Sequence, residues 1–297
     1  MNAGIAYAVF AYVLWGVFPV YFKALQHVPA TEILAHRMVW SLAFVAAALA
    51  LRRRWHWLAE VLARPALVVR FAATAALVSV NWGVYIWAVN AGHVVDASLG
   101  YFINPLVNVA IGALVLHERL RAAQWVAVAL AAAGVAWLTW HAGAAPWIGL
   151  TLAFSFAAYG LLRKTAPLGA AEGLALETAL LAPLALAYLA WLGADGHSAF
   201  GDGPAATRWL LAAAGPVTAL PLLAFAAGAR RIPFSMLGLL QYIAPTLQLV
   251  LGVWLYREPF EPGKAAGFAA IWIALAIYSI EGLWQTLRRT PRPTGAA

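Results

Sequence analysis

Two stretches of this chain, 140 positions apart, carry the same pattern: INPLVNVAIGALVLHE at residues 103–118 and IAPTLQLVLGVWLYRE at residues 243–258. Each has a proline, then an amide side chain, a glycine and a glutamate at equal spacing. These residues are Pro105, Asn108, Gly112 and Glu118 in the first stretch, and Pro245, Gln248, Gly252 and Glu258 in the second. The spacing places proline, amide and glycine on one helix face. A polar face in lipid needs a partner, so we expect the two faces to meet near the middle of a membrane.

The composition is that of a membrane protein. Hydrophobic residues make up 64% of the chain and charged residues 10%, with a mean hydropathy of +0.81, whereas soluble domains carry about 25% charged residues. The chain has no cysteine, which excludes disulfides and thiolate chemistry. The net charge of +8 is dispersed over short loops, so it does not indicate nucleic-acid binding.

Apolar segments of about 20 residues, the length that spans the hydrocarbon core, occur ten times. They cover residues 3–25, 32–51, 67–90, 95–116, 124–141, 146–162, 172–192, 208–228, 233–255 and 264–284. With the N-terminus inside, 14 of the 19 basic residues fall on one side of the membrane and four on the other, leaving Arg37 within a span. Because lysine and arginine collect in cytoplasmic loops, this split predicts ten spans with both termini cytoplasmic. A nine-helix arrangement would put the termini on opposite sides.

Five helices in each half, an odd number, force the second half to enter the membrane upside down relative to the first. We therefore predict an all-α integral membrane protein whose ten transmembrane helices form two inverted five-helix repeats, residues 1–144 and 145–287. Residues 288–297 are predicted to form a disordered, basic cytoplasmic tail. The first segment lacks the features of a cleaved signal peptide, so we expect it to be retained as a helix.

Further distinctive stretches are EILAHR (32–37), NWGVYIWAVN (81–90), DASLGYFINPL (96–106), FSFAAYGLLRK (154–164) and LQYIAPT (240–246). In this order and spacing they resemble the EamA-type branch of the drug/metabolite transporter superfamily, and the resemblance runs from about residue 5 to residue 289. It implies ten helices in two inverted halves, a bacterial inner-membrane location and secondary transport. It does not imply a substrate.

The second predicted helix carries three ionisable residues. Glu32 and His36 lie one turn apart and can pair on one face. Arg37 lies deeper, and an arginine inside a span costs roughly 2.5–3.5 kcal/mol, so we expect compensation. One interpretation is a buried triad that binds an anionic or polar substrate group; the other is an anchor from which Arg37 reaches the outer interface.

Other predicted substrate-binding residues lie on helices 3, 4, 6 and 9. They are Asn81, Tyr85, Tyr101, Asn108, Tyr159, Gln241 and Gln248. Together they offer aromatic surface and amide hydrogen bonds, which suit an amphipathic ligand. Pro105 and Pro245 free backbone carbonyls, and Gly112 and Gly252 allow close approach of helices. The alternative is structural packing of helices 4 and 9, with Asn108 and Gln248 bonded to each other.

Three residues are candidates for proton coupling: Glu177, Glu32 and His36. Glu177 is the first choice, because desolvation in its apolar helix disfavours the charged form of a carboxylate. The alternative for Glu177 is an ion pair with Arg163 or Lys164. We expect Glu258 to form a solvated salt bridge beside Arg257, and Glu118 to do the same beside Arg119.

No phosphate-binding loop, His-Glu-x-x-His pair or Gly-x-Ser-x-Gly turn is present. The sequence therefore contains no motif for ATP hydrolysis, metal-dependent chemistry or hydrolysis by a serine nucleophile. We predict a transporter rather than an enzyme, moving a small amphipathic metabolite or drug by alternating access without a cofactor or metal. Its partners would be the substrate and membrane lipids, with no nucleic acid. The alternatives are a membrane-embedded enzyme acting on lipid and a sensor or adaptor that binds partner helices.

Overall fold

Helices make up nearly all of the described structure. The computed structural model describes residues 3–53, 55–115, 121–142, 145–164, 166–229, 231–232 and 240–289, and over these it contains no strand. The helices are α1 Ala3–Gly16, α2 Phe18–Ala24, α3 Ala30–Leu51, α4 Trp57–Ala63, α5 Pro65–Asn90, α6 Val94–Val115, α7 Ala122–Ala142, α8 Trp147–Lys164, α9 Ala170–Ala194, α10 Ala199–Asp202, α11 Ala205–Ala229, α12 Ile243–Val250 and α13 Pro262–Arg289. A π-helical turn, Leu251–Leu255, continues α12.

Seven helical segments are long and apolar enough to cross a membrane: Ala3–Ala24, Ala30–Leu51, Pro65–Asn90, Ala122–His141, Ala170–Ala194, Ala205–Phe225 and Pro262–Glu281. Three shorter apolar helices lie at the fourth, sixth and ninth predicted spans: Val94–Val107, Trp147–Arg163 and Ile243–Leu255. Each of the ten predicted segments therefore overlaps a described helix, the ninth only from residue 243. The chain is a multi-pass membrane protein.

Two predicted spans are interrupted. The first is divided at Val17, and Pro19 lies in the first turn of α2, where a missing backbone N–H leaves no hydrogen bond unmade. The ninth changes to the π-helical turn, in which the Tyr256 amide donates to the Leu251 carbonyl. Residues 233–239 of the ninth predicted span lie outside the described residues.

The C-terminal end differs from the prediction by two residues. The helix α13 continues to Arg289, so residues 288 and 289 of the predicted tail are helical. A helix needs no new signal to continue through two arginines, because arginine is among the better helix formers. Residues 290–297 lie outside the described part of the chain.

The two halves of the chain interleave. Helix α3 packs on α9 and α11, α1 packs on α11 and α12, α8 packs on α5 and α6, and α7 packs on α13. Glycines allow the closest approaches: a Cβ on Gly100 would lie 2.6 Å from the Gly149 carbonyl oxygen, and one on Gly134 would lie 2.9 Å from that of Gly267. Small residues of this kind bring membrane helices into close contact.

Candidate functional site

Arg37 is buried among aromatic rings. Its side chain is 3% exposed, and its Nε donates a 2.8 Å hydrogen bond to the Thr218 hydroxyl of α11. The guanidinium carbon lies 3.8 Å from the ring centroid of Trp82 in α5, and 5.7 Å from those of Phe18 and Phe22 in α2. A desolvated cation–π contact is worth about 2 kcal/mol. The rings and the hydroxyl therefore compensate part of the cost of burying this cation.

Three tyrosines lie near Arg37: Tyr21, Tyr85 and Tyr101. Tyr21 donates to the Leu210 carbonyl at 2.7 Å, and the Tyr85 and Tyr101 rings meet edge to face with centroids 5.7 Å apart. Among the described residues, neither the Tyr85 hydroxyl nor Arg37 Nη1 has a hydrogen-bond partner, although both are buried. We call this group the Arg37 chamber; its members are Arg37, Thr218, Trp82, Phe18, Phe22, Tyr21, Tyr85 and Tyr101.

Glu32 and His36 form a separate buried pair. Glu32 Oε1 accepts hydrogen bonds from the Ser198 hydroxyl at 3.4 Å and the Phe200 amide at 3.3 Å, at the N-terminus of α10. His36 Nε2 lies 3.9 Å from the same oxygen, and its ring centroid is 4.8 Å from that of Phe200. Arg37 contacts α5 and α11 instead, so the described geometry joins Glu32 to His36 and leaves Arg37 in its own chamber.

Glu177 is buried in α9 beside a cation. Its Oε1 lies 3.7 Å from Arg163 Nε, and its Oε2 accepts a 3.3 Å hydrogen bond from the Tyr159 hydroxyl. Arg163 also donates to the Gly169 carbonyl at 3.1 Å and packs 5.2 Å from the Phe71 ring centroid. The alternative to proton coupling that we considered for Glu177 was an ion pair with Arg163, and the structure contains this pair. Tyr159, a predicted substrate-binding residue, lies beside Glu177 and not in the Arg37 chamber.

Asn81 joins two helices. Its amide nitrogen donates to the Leu152 carbonyl and to the Ser155 hydroxyl, both at 2.9 Å, which ties α5 to α8. Both amide hydrogens are therefore used within the protein. The next residue in α5 is Trp82, whose ring lies against Arg37.

The amide side chains near α12 also bridge helices. Gln248 donates to the Trp15 carbonyl of α1 at 3.1 Å, and Gln241 lies 3.5 Å from the Asn104 side-chain oxygen of α6. Gln248 Oε1 is buried and has no partner among the described residues. The Asn108 side chain lies outside the described part of the structure, so its predicted contact with Gln248 stays a prediction.

Glu258 ties the end of the second repeated stretch to the start of α6. Its two carboxylate oxygens accept hydrogen bonds from the Val94 and Val95 amides at 2.9 and 2.8 Å, as an acidic cap on a helix N-terminus does. The expected solvated salt bridge is therefore wrong for Glu258. Arg257, the residue before Glu258, adopts a left-handed backbone conformation (φ 53°). The Glu258 carboxylate contacts the N-terminus of α6.

The predicted helix breaks and close contacts are partly described. Pro105 is buried within α6 and Pro245 is buried within α12. A Cβ on Gly252 would lie 2.9 Å from Val95 Cγ2, so this glycine leaves room for the Glu258 cap. The surroundings of Gly112, and all of Glu118, lie outside the described residues. Over the part of the chain that the structure describes, no group of histidine and carboxylate side chains could hold a metal ion.

Thr218 and the rings of α2 were not among the predicted site residues. A signal existed for Thr218, a hydroxyl in an apolar helix between Pro216 and Pro221. Phe18 and Phe22 are spaced by one turn, and this spacing is equally typical of core packing. Only the position of Arg37 distinguishes them from an ordinary core.

Comparisons with known proteins agree with this architecture. Residues 2–140 match the EamA-like transporter family. The chain is 51% identical to Protein RarD of Streptomyces exfoliatus over 100% of this chain and 94% of that protein, and 48% identical to an uncharacterized transporter of Vibrio cholerae over 94% and 93%. A solved crystal structure, 20% identical, superposes with a TM-score of 0.57 over 95% of this chain and 99% of that one, which shows a shared fold. The chain therefore belongs to the EamA-like transporter family.

Proposed function

We propose that this protein is a secondary transporter that moves a small amphipathic metabolite or drug across the bacterial inner membrane by alternating access. The observation that carries the proposal is the Arg37 chamber, which combines aromatic surface with two buried donors that lack partners among the described residues. Thr218 comes from the second half of the chain and the other members from the first, so relative movement of the halves would change the chamber. Ligand sites of transporters lie at such repeat interfaces.

We propose that ten helices span the membrane as two inverted repeats, residues 1–144 and 145–287. Packing between equivalent helices supports this arrangement. Helix α1 packs on α11 as its repeat counterpart α8 packs on α5, and α6 packs on α8 as α12 packs on α1. Helices α3 and α7 pack on their own counterparts, α9 and α13. A twofold axis in the membrane plane produces such a pattern.

A coupled proton would need a buried titratable group, and three candidates remain: Glu177, Glu32 and His36. Protonation of Glu177 would have the clearer effect on helix packing, because it would weaken the ion pair that ties Arg163 to α9. The Glu32 and His36 pair is the rival. The proposed partners are the transported solute and the surrounding lipids, without nucleic acid, and the proposal involves no catalytic step.

Counterflow in proteoliposomes tests the proposal. Vesicles containing the purified full-length protein are loaded with an unlabelled library of aromatic and aliphatic solutes of each charge type, and uptake of the labelled members is followed. A transporter gives transient accumulation that depends on the same solute inside. An enzyme would change the solute chemically, and a sensor would give no flux. Either of those results would reject transport.

A further inference from the structure

A buried arginine without an anionic partner is the unusual feature of this molecule. Arg163 pairs with Glu177 at 3.7 Å and Arg121 with Glu281 at 3.3 Å. Arg37 is more deeply buried than either, yet no carboxylate of the described residues pairs with it, and Glu32 bonds to Ser198 and Phe200 instead. Breaking a buried ion pair by removing one partner is strongly destabilising, because it leaves a charge uncompensated. Among the described residues, Arg37 has only the aromatic rings and the Thr218 hydroxyl to compensate its charge.

The contacts that Arg37 makes leave part of its hydrogen-bonding capacity unused in the described structure. Thr218 occupies Nε, and Trp82 covers one face of the guanidinium. Nη1 and the neighbouring Tyr85 hydroxyl are the donors without acceptors in the described structure. A carboxylate has two oxygens, each able to accept from an arginine or phenol donor, and arginine–carboxylate hydrogen bonds are among the strongest in proteins.

We infer that the Arg37 chamber binds the transported solute through a single carboxylate, with an aromatic body of the solute lying against the rings of the chamber. This inference rests on the proposed function, since it names the class of solute transported. One cation calls for one negative charge. A doubly charged phosphate would leave excess negative charge in an apolar site, and an amine would meet like charge.

A second cation, Lys23, follows Phe22 of the chamber in the chain. Lys23, at the end of α2, lies 5.5 Å from the Tyr256 ring centroid, and Tyr256 is close enough to Tyr85 to interact with it electrostatically. Lys23 makes no ion pair among the described residues. A lysine beside the chamber attracts anions towards it and repels cations.

The test uses purified full-length protein and four probes of similar size: phenylacetate, phenylacetamide, phenethylamine and phenyl phosphate. Melting temperature and calorimetric titration report binding, because a ligand that prefers the folded state stabilises it. We expect phenylacetate to bind and to raise the melting temperature. The amide, the amine and the phosphate should each bind at least about tenfold more weakly, since each loses or mismatches the charge pairing.

Variants separate a binding role from a structural one. Arg37→Met should remove the preference for phenylacetate over phenylacetamide. It should not lower the melting temperature of the ligand-free protein, because removing the desolvation cost of a buried charge offsets the lost contacts with Trp82 and Thr218. Tyr85→Phe deletes one hydroxyl and should weaken phenylacetate binding about fivefold and phenylacetamide binding less, because a hydrogen bond to a charged acceptor is the stronger one. Arg208→Met, an exposed arginine that bonds to the Gly203 carbonyl, is the control and should bind like the wild type.

Three results would overturn the inference: binding of none of the probes, equal binding of carboxylate and amide, or an unchanged charge preference in both variants. If Arg37→Met does not fold, Tyr85→Phe decides alone. Failure of the inference is distinguishable from failure of the proposed function. Counterflow of a neutral or cationic solute without phenylacetate binding would leave a transporter with a different substrate, whereas phenylacetate binding through Arg37 without any flux would leave a binding protein that does not transport.

Discussion

Gln248 donates its amide hydrogen to the main-chain oxygen of Trp15, 233 residues earlier, at 3.1 Å. This bond joins α12 to α1, where Leu247 also fills the space beside Gly16. Helix α1 continues through Val17 into α2, which carries three residues of the Arg37 chamber. The bond therefore ties the second half of the chain to the helix that leads into the chamber.

Replacing Gln248 by leucine keeps the side-chain size and removes the bond. We expect the protein to lose about 0.6–2 kcal/mol of stability, the range measured for hydrogen bonds between membrane helices. Thermal unfolding in detergent measures it. Gln241→Leu is the matched control and should lose less, because its contact with Asn104 is longer, at 3.5 Å. A Gln248 variant that melts like the wild type but transports poorly would instead support direct contact with substrate.

Removing the Glu258 cap should destabilise the start of α6. Glu258→Ala leaves the Val94 and Val95 amides without their acceptors, and the loss of a helix cap costs about 0.5–2 kcal/mol. The melting temperature of Glu261→Ala, an exposed carboxylate three residues further on, should stay unchanged. Equal melting temperatures for the two variants would contradict the capping role.

Gly252→Ala should also lower the melting temperature, because the new Cβ would lie 2.9 Å from Val95 Cγ2 and 3.2 Å from its amide nitrogen. Overpacking of this kind costs about 1–3 kcal/mol. Gly193→Ala is a suitable control, because a Cβ there has no neighbour within 4 Å. A Gly252 variant as stable as this control would show that α6 and the π-helical turn can move apart without cost.

Reporter fusions test the ten-span arrangement. A reporter that works only in the cytoplasm should be active when fused at Ala297. A reporter that works only in the periplasm should be active when inserted near Asp202, between α10 and α11. This outcome follows from the 14-to-4 distribution of basic residues. A periplasmic signal at Ala297, or a cytoplasmic one near Asp202, rejects ten spans with both ends inside.

Glu177→Gln tests coupling. The amide keeps the shape of the carboxylate but cannot bind or release a proton, so we expect substrate exchange to persist while net flux stops following an imposed pH gradient. Flux in proteoliposomes with and without the gradient is the measurement. Glu32→Gln is the comparison and should retain the gradient response. The reverse result assigns coupling to the Glu32 and His36 pair, and wild-type flux that ignores the gradient means facilitated exchange.

The positions of the helices were predictable because an apolar segment within lipid can adopt few backbone structures. A backbone in the hydrocarbon core must satisfy its own hydrogen bonds, so ten apolar runs imply helical segments at ten places. The break at Val17 was readable in principle from Pro19. The additional helices α4 and α10 were not, since they lie between the apolar segments, where the apolar-run criterion gives no signal.

Side-chain partners were less predictable. Glu32 and Arg37 are five positions apart, about 140° around a helix at 100° per residue, so they face different neighbours, although the sequence suggested one triad. The partners of Gln248 and Glu258 lie more than 160 residues away and follow from packing alone. The left-handed conformation of Arg257 has no sequence signal, because non-glycine residues rarely adopt it.

The separation between Arg37 and Thr218 also has a consequence for biosynthesis. These two bonded side chains are 181 residues apart in the chain. At about 5–20 residues per second, the ribosome adds the threonine roughly 10–40 s after the arginine. During that interval the helix that carries Arg37 has no access to its polar partner from α11. The membrane-insertion machinery or the lipid interface must therefore accommodate this charge until the second half of the chain arrives.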